Sequence, residues 1–135
     1  MARWLLKSEP GVYSIQDLER DKRTVWDGVR NNTAALNLKA MKVGDEALFY
    51  HSQTDKAVVG VARIVKEAFP DPGDASGRFV AVEIEYVRQV KTPVTLAQMK
   101  ATPSLKDMWV VKMGRLSVSP VTDAEWTTVL KMAGE

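Results

Sequence analysis

Few residue types in this chain can carry covalent chemistry. Among its 135 residues there is no cysteine and one histidine, His51. That removes disulfides, thiol nucleophiles, iron–sulfur clusters and the usual zinc ligand sets. Ser52 follows His51 directly, but adjacent side chains on a strand point to opposite faces, so the two cannot act as base and nucleophile. Lys7 and Glu9, near the end of the first apolar run, are capable of acid–base work, and a surface or structural ion pair is the plainer reading of them. No nucleophile elbow, phosphate loop or dinucleotide-binding glycine pattern occurs. No acidic spacing suggests a carboxylate metal site, so neither metal nor cofactor is expected.

Groups suited to recognition are more plentiful. In "TVWDGVRNNT", residues 24–33, a large aromatic (Trp26) meets a turn pair (Asp27, Gly28), then Arg30, Asn31 and Asn32. Each has a structural use as well. Trp26 can be core, Asn31 can cap the helix that follows, and Arg30 can pair with Asp27 or Glu9. The net charge of +2 is unevenly spread. Residues 86–115 hold six basic side chains against Asp107 alone, a net of +5. Such a segment suits a phosphate-facing surface, with Arg88, Lys91, Lys106, Lys112 and Arg115 as its cations, or a merely solvated face.

Elements that would position these groups follow from period and punctuation. Arg3 to Lys7 reads as a strand. Ser14 with Asp17 forms a capping box for a helix to about Arg20. Asn31 or Asn32 caps a helix to about Met41, with Ala34, Leu36, Leu38, Ala40 and Met41 on its apolar side, and Gly44 turns the chain after it. Strands follow at 46–52, 57–69 and 78–90, with Gly60 a bulge or close-approach point. "DPGDASG" is the turn between the last two. A short helix covers 95–101, a strand 115–121, and Thr122 with Glu125 opens a last helix ending near Met132. The fold class is α+β, one domain over 1–135, its strands curling into a small barrel with short flanking helices. No apolar run approaches membrane-spanning length, and "MARWLLKSEP" has no export signal. A cytoplasmic monomer is expected.

Five stretches, "WLLKSEP", "VWDGVRN", "MKVGDEALFYHS", "VGVARIVKEAFPDP" and "RLSVSPV", resemble in order the EVE domain, a PUA-like fold related to YTH and ASCH modules. The resemblance spans nearly the whole chain. It implies a pocket for a modified nucleobase, above all a modified cytosine such as 5-methylcytosine, in nucleic acid, either DNA or RNA. The base-binding positions it marks are Lys7, Ser8 and Glu9; Trp26, Asp27, Gly28, Val29, Arg30 and Asn31; Tyr50, His51 and Ser52; and Leu116 and Ser117. Trp26 would be the stacking wall, Gly28 the turn, and Asp27, Asn31 and Ser117 the groups facing the base edge. Two positions depart from the pattern: Asn32 stands where tyrosine is frequent, and Ser119 where glutamine is common. The loop at 70–78 is shorter than in many relatives. Other readings are an RNA- or tRNA-binding PUA-type module, a nucleoside amidohydrolase of ASCH-like type built on Lys7, Ser8 and Glu9, and a pocket for a free metabolite.

Overall fold

The structure is a computed structural model that describes residues 2–135. Strands β1 (Arg3–Ser8), β2 (Arg23–Trp26), β3 (Glu46–His51), β4 (Ala57–Pro70), β5 (Val80–Thr95) and β6 (Val118–Val121) form one sheet. Its order is β2-β5-β4-β3-β1-β6. Helices α1 (Ile15–Asp21), α2 (Asn32–Ala40), α3 (Leu96–Lys100), α4 (Trp109–Lys112) and α5 (Asp123–Met132) complete the α+β fold. None is long and apolar enough to cross a membrane.

The interior position of β1, between β3 and β6, explains the apolar run "WLL". β1 pairs parallel with β3, Leu5 opposite Leu48 and Ser8 opposite His51, and every other pairing is antiparallel. Both faces of β1 are covered, so it carries no polar alternation. Leu6 joins Phe49, Ile64, Ile84, Leu18 and Leu38 on one side. Leu5 joins Leu48, Tyr50, Met99, Trp126 and Val129 on the other. α2 packs against β4, β5 and β6, so one helix touches strands from both ends of the sheet order. The ladder itself does not close into a barrel: β2 and β6 are edges. Asn37 on α2 donates to the Val118 carbonyl at 2.7 Å and satisfies part of the β6 edge.

Local chemistry sets most boundaries. The Ser14–Asp17 and Thr122–Glu125 boxes form in both directions, and Thr95 with Gln98 forms a third. Gly60 is a close-approach point: a Cβ there would lie 2.5 Å from Ile15 Cδ1 and 2.9 Å from the Arg88 carbonyl oxygen. The indole nitrogen of Trp4 donates to Asp45 at 3.0 Å, so a buried tryptophan is paired with the end of the "KVGD" turn.

Several expectations need correction. α2 buries Ala34, Ala35 and Leu38, while Leu36 and Ala40 face solvent. β5 continues to Thr95, five residues beyond the alternating stretch, and β6 begins only at Val118. Three elements were unexpected, a 3-10 turn at Pro103–Leu105 among them. β2 is a four-residue edge strand hidden in what reads as a turn approach, and α4 is a single turn of helix around Trp109.

Candidate functional site

β1 ends on Lys7 and Ser8 with Glu9 just after it, β2 ends on Trp26, and the chain turns through Asp27–Asn31 into α2. These segments and Ser117, just before β6, surround a cavity of about 600 Å³, within the range of small-molecule sites. Lys7, Ser8 and Glu9 line it on one side, and Trp26, Asp27, Gly28, Val29, Arg30 and Asn31 on another. Four further lining residues, Val12, Tyr13, Thr24 and Val25, were not singled out from sequence. An aromatic two residues beyond "EPG", in the loop leaving β1, was the available signal for Tyr13.

Trp26 is half-buried. Its ring meets Phe49 edge to face, centroids 5.6 Å apart, which anchors one side and leaves the ring as a cavity wall. β2 pairs with β5, Trp26 opposite Val82, and this fixes the backbone beneath it. Gly28 has φ +78°, the left-handed region that favours glycine. Asn31 caps α2, its Oδ1 accepting from the Ala34 amide at 3.0 Å. That leaves its side-chain NH₂ toward solvent and the cavity rim.

The turn is held from a distance. Asp71, in the "DPGDASG" segment, is buried. Its Oδ2 accepts from the Gly28 amide at 2.8 Å and from Arg30 at 2.9 Å, and its Oδ1 accepts from the Gly73 amide at 2.7 Å. The Arg30 guanidinium first, and then these amides, hold the Asp71 carboxyl below the usual carboxylate range. Neither expected partner of Arg30 is used: Asp27 and Glu9 make no ion pair among the described residues, and Asp71 does. Asp74 builds the rest of the loop. Its oxygens accept from Ser76 and from the Phe79 amide, and its pKa falls to about 2. Arg30 and Arg78 both lie over the Phe79 ring, at 5.4 and 5.3 Å.

Other positions named from sequence lie elsewhere. Tyr50 is buried in the second core cluster, on the far side of the sheet from Trp26. His51 is also buried. Its Nε2 accepts from the Ile15 amide at 3.0 Å, so Nδ1 carries the proton, 2.7 Å from Asp55. It lines a separate cavity with Ser14 and Lys91. Ser52 and Leu116 do not line the Trp26 cavity; Leu116 lines a neighbouring groove with Lys112 and Arg115. The reason for the strand-end misplacement is that β3 is central, with both its faces already committed to packing. The basic segment disperses too. Arg88 is paired with Glu135 at 2.6 Å, Lys91 faces the His51 cavity, and Lys106 is exposed beyond the 3-10 turn at Pro103–Leu105.

Polar groups in the cavity divide into occupied and open. Lys7 contributes its backbone side to the lining: its ammonium lies on the Tyr50 side of the sheet, 5.6 Å from that ring, and donates to the Gly114 carbonyl at 2.7 Å, with burial lowering its pKa. The Ser8 hydroxyl donates to the Tyr13 carbonyl at 2.5 Å. Asp27 and Ser117 side chains have no hydrogen-bond partner among the described residues, so both are open to a ligand.

The EVE domain family model matches residues 2–132. The chain belongs to the EVE family. A Rhodopseudomonas palustris protein solved by NMR is 51% identical, with a TM-score of 0.94 over 99% of this chain and 94% of that one. Human thymocyte nuclear protein 1 is 34% identical over 165 residues, covering 97% of this chain and 73% of its own length. The crystal structure of the human protein in complex with 5-methylcytosine-containing DNA superposes with a TM-score of 0.91, covering 100% of this chain and 99% of that chain at 34% identity. A Zygosaccharomyces rouxii YTH domain, solved with N6-methyladenosine RNA, shares the fold at a TM-score of 0.62 and 15% identity, over 98% of this EVE chain and 86% of the YTH chain.

Proposed function

We propose that this EVE protein is a non-enzymatic cytoplasmic module, working as a single domain, that takes a modified base of a nucleic acid into the cavity beside Trp26. A 5-modified cytosine is the preferred ligand, taken from a single strand or flipped out of a duplex. The observation that carries the reading is one convergence. The partly buried Trp26 ring, the open Asp27 carboxylate and the open Ser117 hydroxyl border the same cavity, in a chain whose human relative was crystallised with 5-methylcytosine-containing DNA. A base is a flat π-face with polar edges, and these groups supply the complement of each.

Hydrolysis is the weaker reading. It needs a lysine, a hydroxyl and a carboxylate to converge on one scissile bond. Lys7 is instead tied to Gly114, and Ser8 donates back to Tyr13 in its own loop.

Titration of short single-stranded oligonucleotides differing at one cytosine tests the proposal. Burying one methyl is worth about 0.8 kcal/mol, about fourfold in affinity, and a shaped apolar niche raises this to roughly 10- to 200-fold. A hydroxymethyl gains only if its hydroxyl finds a partner, for which Ser8, Ser117 and Asn31 are the candidates. Equal affinity for plain, methylated and hydroxymethylated forms would refute the modified-cytosine reading.

A further inference from the structure

Beside the Trp26 cavity runs a second concavity of about 330 Å³, between the start of α2 and the turn Met113–Arg115. The two are neighbours: Asn31 lines both. The Lys7–Gly114 hydrogen bond ties a residue of the cavity lining to a residue of the groove lining. The groove's composition is distinctive. It contains Lys112 and Arg115, no acidic residue lines it, and neither cation forms an ion pair among the described residues. Arg88, by contrast, is neutralised by Glu135. The Lys112 ammonium lies 5.0 Å from the centroid of the Trp109 ring, which orients it. Met113, 47% accessible, adds an exposed apolar surface to the same lining.

We propose that this groove holds the nucleotide directly joined to the bound base, with its phosphate between Lys112 and Arg115 and its sugar or base against Met113. The inference rests on the base-binding reading of the adjacent cavity and extends it from a base to a strand. Two uncompensated cations about an apolar surface complement a phosphodiester linked to a ring. Interactions of this kind carry no sequence information, so the groove confers strand affinity without regard to the neighbouring base.

The test compares 5-methyl-2′-deoxycytidine with a trinucleotide carrying 5-methylcytosine at its centre, for the native protein and the Lys112→Ala, Arg115→Ala double variant. Both side chains are exposed, so the variant keeps its fold, and unchanged binding of the free nucleoside verifies this. The expected result is weaker trinucleotide binding, with the logarithmic salt slope reduced by about one for each phosphate no longer neutralised. A Lys112→Arg, Arg115→Lys exchange should retain the native slope. A double variant with native trinucleotide affinity and slope overturns the groove assignment and leaves the base reading intact. Native protein that binds plain and methylated trinucleotides equally overturns the base reading, and the variant's slope still decides the groove. No trinucleotide binding at all overturns both.

Discussion

The Asp71 carboxylate holds the Arg30 guanidinium at 2.9 Å and, through the same oxygen, the Gly28 amide at 2.8 Å. The turn that shapes the cavity is thus fixed by a loop more than forty residues further along the chain. Arg30 is positioned by this interaction and keeps an exposed edge, its side chain 42% accessible against 1% for Asp71.

Replacing Asp71 by Asn should therefore cost more than an isosteric change usually does. The amide offers one acceptor where two oxygens served three donors, and it turns an NH₂ toward another donor. A loss of roughly 1–3 kcal/mol is expected, read as a lower denaturation midpoint. Base affinity should fall with it, because Trp26 and Asp27 adjoin the released turn.

The same loop predicts an acid response. Asp71 and Asp74 have folded pKa values below the ordinary 3.8, Asp74 at about 2. A depressed carboxylate contributes stability fully above its unfolded pKa and loses it as pH falls through the folded value. The loop should hold above about pH 5 and loosen between about pH 4 and 2. Amide resonances of Gly28, Gly73 and Phe79 moving together in that range would show it; unchanged shifts down to pH 2 would contradict it.

Trp26→Ala should remove the stacking wall, worth roughly 1–3 kcal/mol, or about a 5- to 150-fold loss of affinity. The ring's packing on Phe49 means some stability goes too. The fold should survive, since the other residues of that core cluster remain. Loss of the cooperative thermal transition would make Trp26 a core residue first.

Gly28→Ala isolates backbone conformation from packing. An added Cβ meets nothing within 4 Å, yet φ is +78°. The cost should be about 1–2 kcal/mol and purely conformational, with Gly28→Asn milder because asparagine tolerates that region. Equal stability of all three proteins would show that the turn relaxes.

What sequence revealed and what it hid divide by range. The capping boxes at Ser14 and Thr122, the Asn31 cap and the Gly28 turn are legible because each is complete within a few residues. The gathering of "KSE", "WDGVRN" and Ser117 at one place followed from family resemblance, since no local signal links residue 7 to residue 117. Asp71 went unrecognised for the same reason: a carboxylate in a turn-rich loop looks like a solvated turn residue. Tyr50 and His51 were marked by the resemblance, but a central strand with both faces buried sends one residue to the far core and the other to α1. Trp26 hid a strand because four edge residues give too short a pattern for any period to register.

Lys7 meets Ser117 through its backbone and Gly114 through its side chain, so segments from opposite ends of the chain come together at the cavity wall. During synthesis the pocket stays unfinished until Ser117 has left the ribosome. In the finished protein a bound ligand acts as a clasp on that seam. At a ligand concentration of 100 times Kd it adds about 2.7 kcal/mol against opening. The gain should surface as slowed amide exchange in β1 and β6 together, far beyond the residues the ligand touches.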